Sequence, residues 1–301
     1  MIKQARIRTV KSDRSFHITN FIVLTLILLV VLYPLVYVVS CSFSSAYAVV
    51  TNQVWLWPVE ITLDGYRAVF EHPLIMTGYA NSLIYMVFGT MVNIVLLVLC
   101  GFPLSRKDLP GRKFWTVYFM LTMFFNGGMI PNYLLVKNLG MMNTRLALII
   151  PFAFSAYNMV IVRTFFVSSL PDELMEAANI DGCGDIHFFF RIALPLAKPV
   201  IAVMVLLHGI GHWNGYMRAL LYISDSSKFT LQLVLRDILM ISKMPAEVLA
   251  QMSDARLDAM RNAVELIRYA VIVVGALPVL ILYPFVQKYF VKGIMIGSIK
   301  G

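Results

Sequence analysis

Few residues in this chain combine a reactive type with a spacing that could do chemistry. His208 and His212 stand four apart and would share one face of a helix. Two imidazoles can hold a metal, but zinc takes a third and usually a fourth ligand. No Cys, Asp or Glu stands near them in sequence. The pair fits a water-lined pathway or hydrogen bonds between helices better than a metal site. Trp213, Asn214 and Tyr216 follow at once. An aromatic face that can stack on an apolar ring, and an amide that can bond hydroxyls, would suit a pathway for a polar solute. A second reading makes Trp213 and Tyr216 interfacial anchors, with Gly209, Gly211 and Gly215 as helix-packing contacts. Nucleotide chemistry has no foothold: the dipeptide Gly-Lys does not occur, so there is no phosphate-cradling P-loop. An intramembrane enzyme would need a catalytic dyad or metal cluster, and the two histidines are its sole candidates.

The other informative stretch is 168–198. Ser169 and Asp172 match a capping box, and Pro171 suits a first helical turn. A short helix is expected from there to Asp181. Gly182 and Gly184 can take the positive φ that ends it. A second short helix is expected from Asp185 through Ile186, Phe188, Phe189 and Phe190, after which Pro195 and Pro199 turn the chain back. This helix–turn–helix has small residues on its first arm and aromatics on its second. Two successive alanines, Ala177 and Ala178, let a helix lie deep in a groove, and Glu176 offers a charge for a basic partner.

The elements that carry these residues follow from charge and hydropathy. Only 14% of the 301 residues are charged, against about a quarter in a soluble domain, and mean hydropathy is +0.78. Lipid is the solvent this implies. The formal charge of +9 is scattered over short loops and tails and forms no patch for nucleic acid. Three cysteines imply neither a disulfide framework nor a metal spacing. The apolar run after the basic N-terminal tail reads as a retained first helix rather than a cleaved signal. Six charge-free windows each hold one helix of about 20 residues. The approximate spans are 19–41, 79–103, 114–135, 146–167, 199–220 and 267–287, in one domain over 1–301. The segment from Ser42 to Pro58, with Trp55 and Trp57, is expected at the interface, and Arg163 snorkels from the end of the fourth span.

Basic residues set the orientation. Lys3, Arg6, Arg8, Lys11 and Arg14 precede the first span; Arg106, Lys107, Arg112 and Lys113 lie between the second and third; Lys288, Lys292 and Lys300 follow the last. The first and third connections hold only Arg67, and Lys137 with Arg145. Both termini are therefore expected in the cytoplasm. The connection from Arg218 to Arg268 disagrees: its seven basic residues would lie outside, with six acidic ones beside them. Within it, Ala246 to Leu266 is patterned as an amphipathic helix, packing on its own protein or on a partner.

Glu176-Ala177-Ala178, three residues, Gly182, nine residues, then Ile192-Ala193-Leu194-Pro195 reproduce, without a gap, the EAA loop of binding-protein-dependent ABC importer permeases. The chain resembles that family, and specifically its maltose-type carbohydrate group. Gln287-Lys288-Tyr289-Phe290-Val291-Lys292-Gly293 and Gly297-Ser298-Ile299-Lys300-Gly301 look like the tail of that group. Phe125-Asn126-Gly127-Gly128-Met129-Ile130-Pro131, Asn138-Leu139-Gly140 and Asn143-Thr144 are similar to the subgroup importing oligosaccharides released from polysaccharides.

The resemblance implies an all-α integral membrane protein with the type I ABC importer permease fold, in a bacterial plasma (inner) membrane. It implies a second homologous permease, two ATPase subunits and an extracellular or periplasmic sugar-binding protein as partners. Glu176, Ala177, Ala178, Gly182, Ile192, Leu194 and Pro195 would couple to the ATPases, and Lys292, Gly293, Gly297, Lys300 and Gly301 would reach between them. ATP and Mg would sit on those partners, and this chain would be no enzyme and bind no cofactor. The rivals are an ion-coupled secondary transporter and a permease for a non-sugar solute. The first is disfavoured because all sixteen acidic residues fall outside the charge-free windows.

Overall fold

A chain this apolar must satisfy its backbone internally, and helices do so within one segment. The computed structural model describes residues 11–241, 267–284 and 287, and every regular element among them is helical. In chain order these are α1 (Lys11–Ser42), α2 (Ala46–Val50), α3 (Asp64–Glu71), α4 (Pro73–Ser105), α5 (Arg112–Phe124) and α6 (Met129–Asn138). Two 3-10 turns, Arg145–Leu148 and Ile150–Phe152, precede α7 (Ala156–Ser169) and α8 (Asp172–Ile180). Then come α9 (Asp185–Phe188), a π turn (Phe189–Ala193), α10 (Leu194–Leu196), α11 (Lys198–Trp213), α12 (Tyr216–Tyr222), α13 (Leu231–Ile241) and α14 (Ile267–Pro284). The segment 246–266, where an amphipathic helix was expected, lies outside the described residues.

α1, α4 and α14 are each long and apolar enough to cross a membrane alone. Three further spans arise if each bent pair counts as one: α5 with α6 at 111°, residues 145–152 with α7 at 52°, and 185–196 with α11 at 71°. The expected span over 114–135 is thus divided. Gly128, at φ 84°, opens α6 from a conformation that disfavours side chains, and no atom lies within 4 Å of where its Cβ would be. This glycine serves the turn rather than close packing. The expected span over 199–220 is likewise interrupted, at Asn214–Gly215.

Among the described residues the contacts fall into two compact units, one drawn from 1–69 and 241–274, the other from 70–240 and 275–301. In the first, Cys41, Ala48, Val49 and Val54 form a small core with Tyr37, Val59 and Tyr269 against it. Ser40 Oγ donates to the Leu56 carbonyl (2.6 Å), and Ser44 Oγ accepts from the Val59 N–H (3.0 Å). These bonds fold 42–58 back on the end of α1, leaving Trp55 and Trp57 exposed. The most apolar stretch of α1 buries none of its residues, as a lipid-facing helix would.

The second unit is built on α4, which packs chiefly against α11 and α7. Its lower core joins Leu97, Phe102, Met159, Val162 and Phe166 to Met175, Ala178, Phe188 and Ala193 of the 168–198 hairpin. Arg163, expected to snorkel, instead donates from Nε to the Leu104 carbonyl (2.9 Å) and caps the end of α4.

Candidate functional site

The hairpin is held rigidly by its own chain. α8 starts at Asp172 with Pro171 as N-cap, and no side chain caps it. The expected capping box is absent because α7 runs through Ser169, leaving Pro171 to make the break. Lys107 Nζ, beyond the end of α4, reaches Asp172 Oδ2 (2.5 Å). That hydrogen bond holds the Asp172 carboxyl below, and the Lys107 ammonium above, their ordinary pKa. Both groups are well exposed, so the pair orients the hairpin more than it stabilises the fold.

At the far end of α8, Gly182 sits at φ 74° and ends the helix. Its N–H donates to the Asn179 carbonyl (3.0 Å), and the Cys183 N–H donates to that of Ala178 (2.8 Å). Gly184 has φ −71° and is the N-cap of α9, so only one of the two glycines takes the left-handed turn.

The two alanines have different roles. Ala178 is buried with Met175 against the permease's own core, whereas Ala177 and Glu176 face outward. The aromatics divide the same way. Phe102 meets Phe188 at 6.4 Å and Phe189 at 5.0 Å between ring centroids, while Phe190 is largely exposed. Ile192 and Leu194 are half-buried against the same core, and Pro195 is exposed. The exposed residues of the hairpin include Glu176, Ala177 and Gly182, and its two most exposed apolar side chains are Ile180 (87% exposed) and Ile186 (77%). The sequence reading missed both isoleucines; their signal is apolar residues on the outward face of a short, otherwise polar arm.

The second cluster joins the middle of α4 to the C-terminal end of α11. Asn93 donates from Nδ2 to the Phe152 carbonyl (2.8 Å), so its Oδ1 faces His212 Nε2, also at 2.8 Å. A carbonyl can only accept, so this amide orientation requires His212 to carry its proton on Nε2. His208 Nε2 pairs with Asn158 Nδ2 (3.0 Å). The histidines therefore bind two different helices, α4 and α7. Trp213 is 1% exposed, donates from Nε1 to the Gly275 carbonyl (2.9 Å) and meets Tyr79 edge-on. It is neither an interfacial anchor nor free to stack on a ligand. Asn214 and Tyr216 are exposed. No carboxylate is buried among the described residues. Asn93→Ala should strand the His212 N–H and destabilise the permease by about 1–3 kcal/mol, read as a lower unfolding midpoint in detergent.

At the opposite end of α4 a polar network ties three segments together. Asn81 Nδ2 donates to the Ser227 carbonyl (2.8 Å), Tyr85 to that of Lys228 (2.9 Å), and Ser82 Oγ accepts from the Leu231 N–H (2.8 Å). Asn143, at φ 59°, accepts on Oδ1 from the N–H groups of Ser224 and Asp225. Asp225 in turn accepts from Ser227 and pairs with Lys228, which holds its carboxyl down at about 2. A carboxylate lowered below its unfolded value, about 3.9, contributes fully above that value and loses its contribution as pH falls toward 2. Pepsin cleavage within 223–230 should therefore rise between pH 4 and pH 2, and this step should vanish in Asp225→Asn. The tail residues Lys292, Gly293, Gly297, Lys300 and Gly301 lie outside the described residues.

Residues 98–296 match the family model described as binding-protein-dependent transport system inner membrane component. Protein LplC of Bacillus subtilis (strain 168) is 40% identical over 97% of this chain and 97% of its own. The polygalacturonan/rhamnogalacturonan transport system permease protein YtcP of the same organism is 38% identical over 96% and 99%. Among solved structures, a chain of a bacterial ABC transporter involved in the import of the acidic polysaccharide alginate superposes with a TM-score of 0.83 at 34% identity. That match covers 94% of this chain and 99% of the other.

Proposed function

The chain belongs to the binding-protein-dependent transport system inner membrane component family, and from that premise we propose that it is one of two membrane-spanning subunits of an ATP-driven bacterial oligosaccharide importer. Two of the similar proteins carry polysaccharides in their descriptions, which favours an oligosaccharide cargo. A second permease completes the pathway, two ATPases bind ATP and Mg, and an extracellular or periplasmic binding protein delivers the sugar. Each bent pair is one crossing of the plasma membrane, giving six, with both termini and the 168–198 hairpin cytoplasmic.

The observation that carries this reading is the hairpin itself. Its inner side is locked into the core through Met175, Ala178 and Phe188, while its outer side presents Glu176, Ala177, Ile180 and Ile186 to solvent. Isoleucines 87% and 77% exposed beside a carboxylate suit a groove on another protein. A braced hairpin passes a rigid-body movement of the ATPases to α4, α7 and α11. ATP-bound closure then favours the outward-open state and hydrolysis the inward-open one.

The test is reconstitution in liposomes with the neighbouring permease, ATPase and binding protein. ATP-dependent uptake of oligosaccharide is the expected result; uptake driven by an ion gradient without ATP would overturn the assignment. In the same system, deleting 293–301 should lower binding-protein-stimulated hydrolysis several-fold. Unchanged stimulation would remove the tail from the coupling machinery.

A further inference from the structure

Two helix breaks in the second unit fall on one cleft. The 111° break between α5 and α6 and the 52° break before α7 both border an open cavity of about 550 Å³. Tyr118 and Phe119 of α5, Asn126 in the first break, Phe154 and Ser155 in the second, and Tyr157 at the start of α7 line it. From Arg112 to Thr122 is about 15 Å along a helix, half of a hydrocarbon core about 30 Å thick. With Arg112 at the cytoplasmic surface, as the proposed topology requires, the cleft falls near mid-membrane.

Its chemistry does not suit lipid. The N–H groups of Asn126, Gly127, Phe154 and Ser155 donate to no atom among the described residues. Asn126 accepts the Gly128 N–H on Oδ1 (2.9 Å) and leaves its amide nitrogen unused. Tyr118 and Tyr157 are 50% and 61% exposed, and their hydroxyls have no partner among the described residues. Irregular backbone at membrane depth is tolerated where it is covered by protein or lines a water-filled cavity. Interrupted helices are also where transporters build substrate sites.

We infer that this cleft is a carbohydrate subsite on the translocation pathway, with Tyr118 and Tyr157 as stacking faces and Asn126 and the free N–H groups as partners for sugar hydroxyls. The inference rests on the oligosaccharide-importer reading above. Aromatic faces and unpaired donors at the two breaks match a pyranose, whose rings are apolar above and below and ringed by hydroxyls. An ion would need converging carboxylates, and none lines the cleft.

The test uses the complete complex in liposomes, with Cys41, Cys100 and Cys183 replaced by serine. The probes are radiolabelled pools of oligogalacturonides, arabino-oligosaccharides and malto-oligosaccharides. Tyr157→Ala and Asn126→Ala should each lower uptake about tenfold in a complex that still assembles in parental yield. Thr122→Cys, beside the same cleft, should react with a charged, water-soluble thiol reagent, and the transported pool should protect it. Unchanged uptake in both variants while the parent transports would overturn the subsite alone. A cysteine that reacts only with a lipid-partitioning reagent would do the same. A cysteine shielded by the second permease regardless of sugar would assign the face to the contact between permeases. A parent that takes up none of the pools would instead count against the oligosaccharide reading.

Discussion

Gly182→Pro is expected to reduce ATP-driven uptake to background while the protein still inserts and folds around α4. The residue sits at φ 74° and donates its N–H to the Asn179 carbonyl at 3.0 Å. Proline fixes φ near −65° and has no N–H to give. The turn between α8 and α9 must therefore open, and the outer face bearing Glu176, Ile180 and Ile186 loses its geometry. Alanine is the graded comparison. No atom lies within 4 Å of a Cβ at this site, so Gly182→Ala meets only the left-handed penalty of about 1–2 kcal/mol and should retain partial uptake. Glu176→Lys probes the surface without touching the fold, because the side chain is exposed and bonds nothing among the described residues. Reversing a charge that meets a partner costs about 2–5 kcal/mol, so ATPase retention on an affinity-tagged complex should fall roughly tenfold or more. Normal uptake and normal retention in both Gly182→Pro and Glu176→Lys would sink the coupling assignment.

Much of the hairpin was legible because its turn residues act locally. Pro171 and Gly182 each impose a backbone conformation that neighbours cannot override, so a helix between them follows from sequence. Ser169 misled because a capping residue works only if the preceding chain leaves the helix, and α7 continues through it. Ala177 and Ala178 look equivalent in sequence. Successive helical residues point about 100° apart, and only the packing partner decides which one faces inward. Here that partner is the core around Phe102 and Phe188. The outward pair Ile180 and Ile186 was overlooked because attention to the motif's fixed positions hides the residues between them.

Hydropathy found the apolar windows but not the breaks within them. A window average is blind to Asn126-Gly127-Gly128 and to Phe154-Ser155, where the helical path ends inside a run that carries no charge. It was equally blind to the interior of α4. Asn81, Tyr85, Gly89 and Asn93 recur every four residues and are all buried, so they trace one slowly rotating stripe. The signal was present as polar or small residues at helical spacing inside a charge-free run. Such residues hold membrane helices together where lipid offers no hydrophobic drive between them. The paired histidines drew notice by type alone. Their roles depend on Asn93 and Asn158, 119 and 50 residues away, a separation no local reading bridges.

The largest stability effect should come from Gly89→Ala, a change that adds one methyl group. A Cβ built there would stand 2.5 Å from His212 Cε1, 2.6 Å from Nε2 and 2.8 Å from Nδ1. No side chain tolerates such approach, so the imidazole must move. It is 6% exposed and held to Asn93 Oδ1 at 2.8 Å, so it can move only by breaking that bond or by forcing α4 and α11 apart. Overpacking costs about 1–3 kcal/mol, and a stranded buried donor about 1–3 kcal/mol more. The two costs overlap, and a loss of about 3 kcal/mol is expected. Gly211→Ala is the control, since nothing lies within 4 Å of its Cβ; replacing that helical glycine should be neutral or slightly stabilising, by about 0.5–1 kcal/mol. The mechanism predicts coupling as well. In a Gly89→Ala, His212→Ala double variant the clash disappears, so the second change should recover part of what the first removed. Unfolding midpoints of the detergent-purified variants give all the terms of the cycle. If Gly89→Ala unfolds with the parent, or if the two losses simply add, the close approach of α4 to His212 is not what holds this part of the permease together.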